Sequence, residues 1–177
     1  MLLIEFTGLS GVGKTTLAYF VKEKLILRGY KVEVVDGDEF GKHLCKDLTF
    51  SKADRKENIR RLGIVSNLLA KNGIITLLAA INPYETIREE IKNYGDHVKT
   101  VWINCELNAL IQRDTKGSYK RAMLPSGHPN KLYNLTGIND SYDIPLTFDI
   151  LIDTTNNSED TCTKMLMDFI LLQISII

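Results

Sequence analysis

A glycine-rich segment directly after an apolar run constrains the fold of this chain more than any other feature. Residues 8–15 read Gly-Leu-Ser-Gly-Val-Gly-Lys-Thr, and the run Leu2–Phe6 precedes them. Glycines at this spacing let backbone N–H groups turn toward phosphate oxygens, and the following helix offers its positive N-terminal end to the same anions. This is the pattern of a phosphate-binding loop between a strand and a helix. The sequence therefore predicts a nucleoside triphosphate site early in an α/β domain.

Two side chains of this loop have defined tasks in such a site. Lys14 should reach the β- and γ-phosphate oxygens, and the Thr15 hydroxyl should ligate Mg²⁺. We therefore expect ATP and Mg²⁺ as ligands, with the loop contributing Gly8, Ser10, Gly11, Gly13, Lys14, Thr15 and Thr16. The alternative is a glycine-rich turn that binds nothing. The preceding strand and the helical spacing of Leu17, Val21 and Leu25 disfavour it.

Length and charge limit the remaining possibilities. The chain has 177 residues, which fits one domain over 1–177, and its 22 basic residues balance 22 acidic ones. A balanced charge gives no global field for nucleic acid. The apolar C-terminal stretch 169–177 is shorter than the about 20 residues that a membrane-spanning helix needs, so we expect no membrane partner. The unpaired spacing of Cys45, Cys105 and Cys162 suits a reduced, cytoplasmic protein without a zinc site.

Strand-like and helical patterns alternate along the chain, which predicts a parallel sheet covered on both faces. We expect a P-loop NTPase fold of the α/β class, with three layers and a roughly five-stranded parallel sheet flanked by helices. Strands are predicted at 2–6, 32–35, 74–80, 98–103 and 150–152, and helices after the loop and at 55–72, 86–94 and the C-terminus. Gly29, Gly73 and Gly95 stand where helices should stop. Ser51 to Asp54 resembles a capping box.

Chemistry in such sheets gathers at the carboxyl ends of the strands. Besides the phosphate loop, this rule selects Asp36-Gly37-Asp38, Asn82-Pro83-Tyr84 and the stretch from Arg113 onward. The polar region 114–142 has little periodicity and several glycines and prolines. It is typical of a mobile lid that excludes water from a kinase site.

A series of motifs carries a resemblance that runs in order over nearly the whole chain. They are Gly8–Thr16, Asp36–Asp38, Lys46–Leu48, Phe50-Ser51, Asp54–Arg61, Asn82–Tyr84, Lys116–Lys120, Thr136–Ile138 and Asp153-Thr154. Together they resemble the adenylyl-sulfate kinases. The resemblance implies ATP-dependent phosphorylation of the 3′-hydroxyl of a nucleotide with a substituted 5′-phosphate.

The resemblance also implies residue roles. Phe50 would stack on the acceptor base, Arg55 would hold its 5′ anionic group, and Asn58 would assist nearby. Arg113 and the Asp153-Thr154 turn would flank the adenine of ATP. Because Arg55 and Asn58 are three residues apart, one helical face can present both to one ligand.

The likeness is incomplete on the acceptor side. Where family members have an Arg three residues after the second Asp, this chain has Gly41, and Leu135 replaces an aromatic residue that closes over the base. In the turn at Ile81 and Asn82, an amide replaces a serine hydroxyl. These three changes resemble a divergent branch that phosphorylates cytidine diphosphoramidate for capsule biosynthesis. We favour that acceptor, because a smaller base suits Leu135 and a phosphoramidate brings N–H donors.

Other interpretations stay open. The first is an adenylyl-sulfate kinase that makes 3′-phosphoadenylyl sulfate, with the changes as drift. A non-catalytic nucleotide sensor is disfavoured, since binding alone needs no hydroxyl-activating carboxylate such as Asp38. A kinase of small metabolites is disfavoured by Phe50. Family members are often dimers, and the apolar C-terminal helix would serve a homodimer interface or the core equally well.

The mechanism expected for this phosphotransferase is in-line transfer to an alcohol group. Lys14 and Mg²⁺ neutralise the γ-phosphoryl group, Asp38 takes the proton of the hydroxyl, and Asp36 supports the metal or the substrate. The pattern does not decide which of the two aspartates is the base. Lys116 and Lys120 of the lid should approach the phosphates when it closes.

Overall fold

The computed structural model describes residues 1–176 and forms five strands and seven helices within that range. Along the chain these elements are β1 (Leu3–Thr7), α1 (Lys14–Ile26), β2 (Val32–Asp36), α2 (Gly37–Leu44), α3 (Lys52–Lys71), β3 (Ile75–Ala79), α4 (Glu85–Lys92), β4 (Val98–Asn104), α5 (Leu107–Arg113), α6 (Ser118–Ala122), β5 (Ile150–Asp153) and α7 (Glu159–Ile176).

The five strands form one parallel sheet in the order β2-β3-β1-β4-β5. β1 is central, so that Glu5 lies between Leu78 on β3 and Thr100 on β4. The parallel sheet of the P-loop NTPase fold expected from the sequence is confirmed. Because all strands point the same way, the loops after β1, β2 and β3 emerge at one edge of the sheet.

Helices cover both faces of the sheet, which gives the three layers. On one face α1 and α7 pack over an apolar layer that includes Ile4, Phe6 and Leu77. On the other face α3 and α4 pack over Leu3, Leu78 and their neighbours. Successive strand residues point to opposite faces, so nearly continuous apolar runs supply both layers at once.

The sequence did not anticipate the short helices α2, α5 and α6, and it placed the start of α3 three residues too late. Ser51 caps α3, because its Oγ accepts from the Asp54 N–H at 3.1 Å. The second half of the expected capping box is absent, since the Asp54 carboxylate accepts from the Thr49 N–H at 3.0 Å instead. The helix stops at Gly29, Gly73 and Gly95 are confirmed, with φ of 86°, 84° and 137°.

The C-terminal apolar stretch is the end of α7, which packs beside α1 on the sheet. Ile177, the last residue of that stretch, lies outside the described residues. Within residues 1–176, no helix combines the length and apolar character needed to cross a bilayer.

Candidate active site

A cleft of about 770 Å³ opens at the carboxyl ends of the central strands. The phosphate loop borders one end, and α2, α3 and the predicted lid border the other. Its lining includes Ser10, Gly11, Gly13, Lys14, Thr15, Asp36, Asp38, Phe50, Arg55, Asn58, Ile81, Asn82, Lys116 and Leu135. The fold therefore gathers most of the residues expected at the site around one volume large enough for two ligands.

Close packing fixes the backbone of the phosphate loop. Gly8 has φ of 147°, and a Cβ on it would lie 2.2 Å from the carbonyl oxygen of Ile103. Gly13 stands in the left-handed region just before α1 begins, with φ of 98°. Only glycine fits at Gly8, because both the conformation and the neighbouring backbone exclude a side chain. The loop thus brings the N-terminus of α1 to the floor of the cleft.

Lys14 is folded back onto its own loop. Its Nζ donates to the carbonyl oxygens of Gly8 at 2.9 Å and Leu9 at 2.7 Å. The side chain is buried, and that burial, with a smaller effect of Lys116, lowers the pKa of Lys14 to about 7. An ammonium group held by two carbonyls in a dry site is poised to exchange them for anionic oxygens.

Asp36 ties β2 to the phosphate loop. Its Oδ2 accepts from the Thr15 hydroxyl at 2.7 Å, and its Oδ1 accepts from the Asp38 N–H at 2.8 Å and the Glu39 N–H at 3.1 Å. The Asp36 carboxylate therefore caps the N-terminus of α2 and at the same time holds the Thr15 hydroxyl in place. One side chain serves both the local turn and the candidate metal site.

The Thr15 and Asp36 pair offers oxygen donors of the kind that Mg²⁺ prefers. Within residues 1–176, no three His, Cys, Asp or Glu side chains form a cluster able to hold a metal alone. A magnesium ion fits these residues if substrate phosphates supply further ligands, which is the usual arrangement for this ion.

Asp38 and Lys116 meet across the mouth of the cleft. Lys116 Nζ donates to Asp38 Oδ2 at 2.9 Å, and both side chains are largely exposed. This hydrogen bond, partly opposed by burial, lowers the pKa of Asp38. The contact joins the second carboxylate of the Asp-Gly-Asp turn to the lid. Lys120 lines no part of the cleft and is exposed in this arrangement, in contrast to the sequence expectation.

Arg55 links α3 to the lid. Its guanidinium donates to Thr136 Oγ1 at 2.9 Å, pairs with Asp140 at 3.0 Å and lies 5.8 Å from the centre of the Phe50 ring. It also donates to the carbonyl oxygen of Asn134. Phe50 itself is 74% exposed and borders the cleft. The lid is thus anchored at 134–140 by the side chain that the resemblance assigns to the acceptor anion.

Space and an unused acceptor remain beside Asn58. A Cβ on Gly41 would be 3.7 Å from Asn58 Oδ1 and 3.8 Å from its Nδ2, which are ordinary van der Waals distances. Asn58 Oδ1 is buried and has no hydrogen-bond partner within residues 1–176. Leu135 is 6% exposed and lines the same cleft. Gly41 does not itself line the cleft but leaves room behind Asn58.

Asn82 differs from expectation. From the sequence we expected the Asn82 amide to contact the acceptor. Instead the residue is fully buried, and its Nδ2 donates to Glu5 Oε1. The reason is the strained turn after β3, where Asn82 has φ of 35° and the side chain turns toward β1. Ile81 lies at the cleft, and its carbonyl oxygen accepts from the Gly8 N–H at 3.3 Å.

The residues expected around adenine hold the loop after β5. Arg113 Nη2 donates to the carbonyl oxygens of Thr154 at 2.9 Å and Thr155 at 3.2 Å. Thr154 Oγ1 donates to the Val12 carbonyl at 3.2 Å, which joins this loop to the phosphate loop. Arg113 borders a small cavity beside Ser10 and Gly11. Asp153, Thr154 and the exposed Thr16 line neither this cavity nor the cleft.

Sequence reasoning missed two residues that shape the site. Tyr119 of α6 donates its hydroxyl to the carbonyl oxygen of Ser10 at 2.8 Å, which fastens the lid to the phosphate loop. Glu5 of β1 is fully buried under the turn at Asn82. A charged residue inside an apolar strand was the available signal for Glu5. Tyr119 lies inside the Lys116–Lys120 motif of the resemblance, which assigned it no role.

Comparisons with known proteins agree with this geometry. A family model described as adenylylsulphate kinase matches residues 1–153. The adenylyl-sulfate kinase of Rippkaea orientalis is 43% identical over 163 residues, covering 92% of this chain and 87% of that protein. A probable bifunctional SAT/APS kinase 2 of Sorangium cellulosum is 42% identical over 165 residues. The match covers 93% of this chain but only 28% of that longer protein.

A solved structure leads to the same assignment. The Mycobacterium tuberculosis APS kinase in complex with AMPPNP and APS has a TM-score of 0.87 and 34% identity, and the match covers 96% of each chain. With its phosphate loop and a family match over most of its length, this chain belongs to the adenylyl-sulfate kinase family of P-loop phosphotransferases, which act on a hydroxyl group.

Proposed function

We propose that this chain transfers the γ-phosphoryl group of ATP to the 3′-hydroxyl of adenylyl sulfate. The observation that carries the proposal is one cleft with a phosphate loop at one end and the Phe50, Arg55 and Asn58 group at the other. The names of its relatives supply the acceptor, including a neighbour solved with AMPPNP and APS. They support adenylyl sulfate rather than the cytidine compound that the sequence departures favoured.

The phosphate end would neutralise charge on the transferred group. In this proposal Lys14 leaves the Gly8 and Leu9 carbonyls and binds β- and γ-phosphate oxygens. Thr15 and Asp36 would hold Mg²⁺, which supplies further neutralisation of the triphosphate when bound. Electrostatic stabilisation of this kind is the main catalytic term in phosphoryl transfer.

The acceptor end would position and deprotonate the hydroxyl. We assign the base to Asp38, because its carboxylate is exposed at the cleft while both oxygens of Asp36 already accept hydrogen bonds. Asp38 must first release Lys116, which is then free to approach the phosphates. Phe50 would stack on the base and Arg55 would bind the 5′ anionic group, exchanging its contact with Asp140.

A cytidine diphosphoramidate acceptor is the second candidate, and one observation favours it. The buried Asn58 Oδ1 needs a hydrogen donor, and a phosphoramidate has N–H groups where a sulfate has only acceptors.

One assay separates these candidates. The purified protein with Mg²⁺ and ATP is given adenylyl sulfate or cytidine diphosphoramidate, ADP is measured, and phosphorus NMR locates the new phosphate. We expect turnover with adenylyl sulfate and phosphorylation at the 3′ position. Turnover with the cytidine compound alone would establish the second candidate, and no turnover with either would contradict the proposal.

The role of Asp38 has its own variant. Asp38→Asn should lower kcat by about 10² to 10⁴, the usual contribution of general acid or base catalysis. Asp168→Asn, at an exposed position on α7, is the matched control and should keep full activity. Wild-type turnover by Asp38→Asn would remove Asp38 as the base.

A further inference from the structure

Glu5 has a buried carboxyl group that the proposed mechanism does not use. It lies at the centre of β1, between Leu78 and Thr100 on the neighbouring strands, and it is fully buried. Its side chain shares a face of the sheet with the apolar layer under α3 and α4. A carboxyl group in such a layer is costly unless it is hydrogen-bonded and neutral.

The partner of Glu5 is the amide of Asn82. Asn82 Nδ2 donates to Glu5 Oε1, and Thr100 Oγ1 donates to Glu5 Oε2 at 3.4 Å. Asn82 Oδ1 is buried and has no hydrogen-bond partner within residues 1–176. The pair therefore lacks one hydrogen donor, which a protonated Glu5 carboxyl can supply and a carboxylate cannot.

The backbone around Asn82 joins both ends of the cleft. The Asn82 carbonyl accepts from Arg88 Nη1 at 2.8 Å and from the Thr7 hydroxyl at 3.0 Å. Thr7 is the last residue of β1, and the Gly8 N–H donates to the Ile81 carbonyl. A shift of this turn would therefore move Ile81 at the acceptor end as well as the strand that leads into the phosphate loop.

We propose that Glu5 and Asn82 are positioning residues that hold the turn Ile81–Tyr84 in its acceptor-binding geometry, and that they do so when Glu5 is protonated. The inference rests on the proposed kinase activity, since acceptor binding is what the turn would serve. It gives the amide at position 82 a role inside the protein in place of a contact with the acceptor.

The groups that face Glu5 set its protonation. From α4 and its end these are Arg88, Glu85 and Tyr94. Tyr142 and Asp143 contact Arg88 rather than Glu5, since the Arg88 guanidinium lies 5.8 Å from the centre of the Tyr142 ring and donates to the Asp143 carbonyl at 2.7 Å. The buried residues of α3 on this side carry no charge: Ile59, Leu62, Gly63, Ser66 and Ala70. Burial dominates over the Asn82 hydrogen bond and the charge of Arg88, and raises the pKa of Glu5 to about 8.

Deprotonation has a defined consequence in this arrangement. A Glu5 carboxylate no longer has a proton to donate to the amide, and it attracts Arg88 away from the Asn82 carbonyl. The turn would then lose its orientation, and its contacts with Thr7 and Gly8 would carry part of the change to the start of the phosphate loop. Acceptor binding should therefore weaken as the pH rises through about 8.

The first test compares the wild type with Glu5→Gln at pH 7 and pH 9. The Gln amide is uncharged at both and keeps a donor and an acceptor. We expect the acceptor KM of the wild type to rise about three- to tenfold with pH, a size typical of residues that act through a network. Glu5→Gln should keep a low acceptor KM at both pH 7 and pH 9. The control variant Glu23→Gln, at an exposed position, should show the same rise of the acceptor KM with pH as the wild type. The same pH dependence in wild type and Glu5→Gln would overturn the proposal.

A second measurement needs neither turnover nor a variant. In protein labelled with ¹³C at glutamate carboxyl groups, one resonance should titrate near pH 8. If every glutamate carboxyl titrates below pH 6, the pair does not contain a protonated Glu5 and the proposal fails. Absence of phosphoryl transfer to any acceptor would contradict the proposed function, and this titration would then decide the state of Glu5 by itself.

Discussion

The phosphate end and the acceptor end of the cleft are built from different parts of the chain. At the phosphate end, one contiguous segment supplies the glycines, Lys14 and Thr15, and close backbone packing at Gly8 fixes its shape. At the acceptor end, single side chains arrive from α2, α3, the turn after β3 and the lid. A site made by local backbone geometry is specified by its motif, whereas a site assembled from distant side chains changes one residue at a time.

The charged side chains of the two ends also differ in their burial and in the partners that hold them. Lys14 is buried, and its ammonium group donates to the carbonyl oxygens of Gly8 and Leu9 in its own loop. Asp38, Lys116 and Phe50 are exposed, and Arg55 is engaged by the lid. The backbone of the phosphate end is therefore preformed and Lys14 exchanges its own two carbonyl contacts, while at the acceptor end Asp38 and Arg55 must both release contacts with the lid when the ligand binds.

At the phosphate end, the largest effect is expected from the loss of Lys14. Lys14→Ala removes the ammonium group and should lower kcat by about 10² to 10³, the typical loss when one electrostatic contact to the transition state is deleted. Steady-state ADP release checks this. Lys24→Ala, at an exposed position on the same helix, is the control and should retain activity. Full turnover by Lys14→Ala would show that the loop lysine does not act on the transferred group.

The second expected effect concerns the pH dependence of stability. Since the folded protein lowers the pKa of Lys14 to about 7 from 10.5, the unfolded chain binds more protons between these values. The free energy of unfolding should therefore rise with pH across this window, on the order of 2 kcal/mol between pH 7 and 9.5.

Urea unfolding of the wild type and of Lys14→Ala at pH 7 and 9.5 isolates this effect. The difference between the two proteins should grow in favour of the wild type as the pH rises. Glu5 contributes equally to both proteins, and its raised pKa acts in the opposite direction, since stability falls between about pH 4.5 and 8. A difference that stays constant with pH would mean that Lys14 keeps its charge in the folded state.

The third effect tests the exchange at the acceptor end. Arg55→Lys keeps a positive charge but loses the planar fork that contacts Thr136, Asn134 and Asp140. The acceptor KM should rise about tenfold, a loss of the order of one charged hydrogen bond, while the ATP KM stays near its wild-type value. Arg28→Lys, exposed at the end of α1, controls for the substitution itself. An equal rise in both KM values would assign Arg55 to lid anchoring alone.

The smallest effect sharpens the choice of acceptor. Leu135→Phe combined with Gly41→Arg changes two of the three positions at which the acceptor side departs from the resemblance, and a Cβ at position 41 meets Asn58 only at ordinary contact distances. The ratio of kcat/KM for adenylyl sulfate over cytidine diphosphoramidate should increase by about three- to tenfold, within the range of base stacking on an aromatic ring. An unchanged ratio would show that these departures do not set specificity.

The sequence alone determined the phosphate end of the cleft and the succession of strands and main helices along the chain. Eight consecutive residues with fixed glycine spacing admit few backbone conformations, and the alternation of apolar runs with helical periodicity leads to a parallel sheet. The strand-end rule identified Asp36 and Asp38, the family resemblance assigned roles to Phe50 and Arg55, and the fold brings all four to one cleft. It missed α2 and α6, because short helices are decided by caps such as Asp36 and by packing rather than by periodicity.

Only the tertiary structure decided the direction of individual side chains at the acceptor end. The sequence does not say whether the Asn82 amide faces a ligand or Glu5. Its orientation is decided by the contact with Glu5, which lies 77 positions away along the chain. Likewise, the pairing of Lys116 with Asp38 and of Arg55 with Asp140 depends on how the lid folds over the sheet. Local spacing fixes backbone shape, but a side chain chooses its partner by the desolvation and hydrogen bonding that the assembled fold provides.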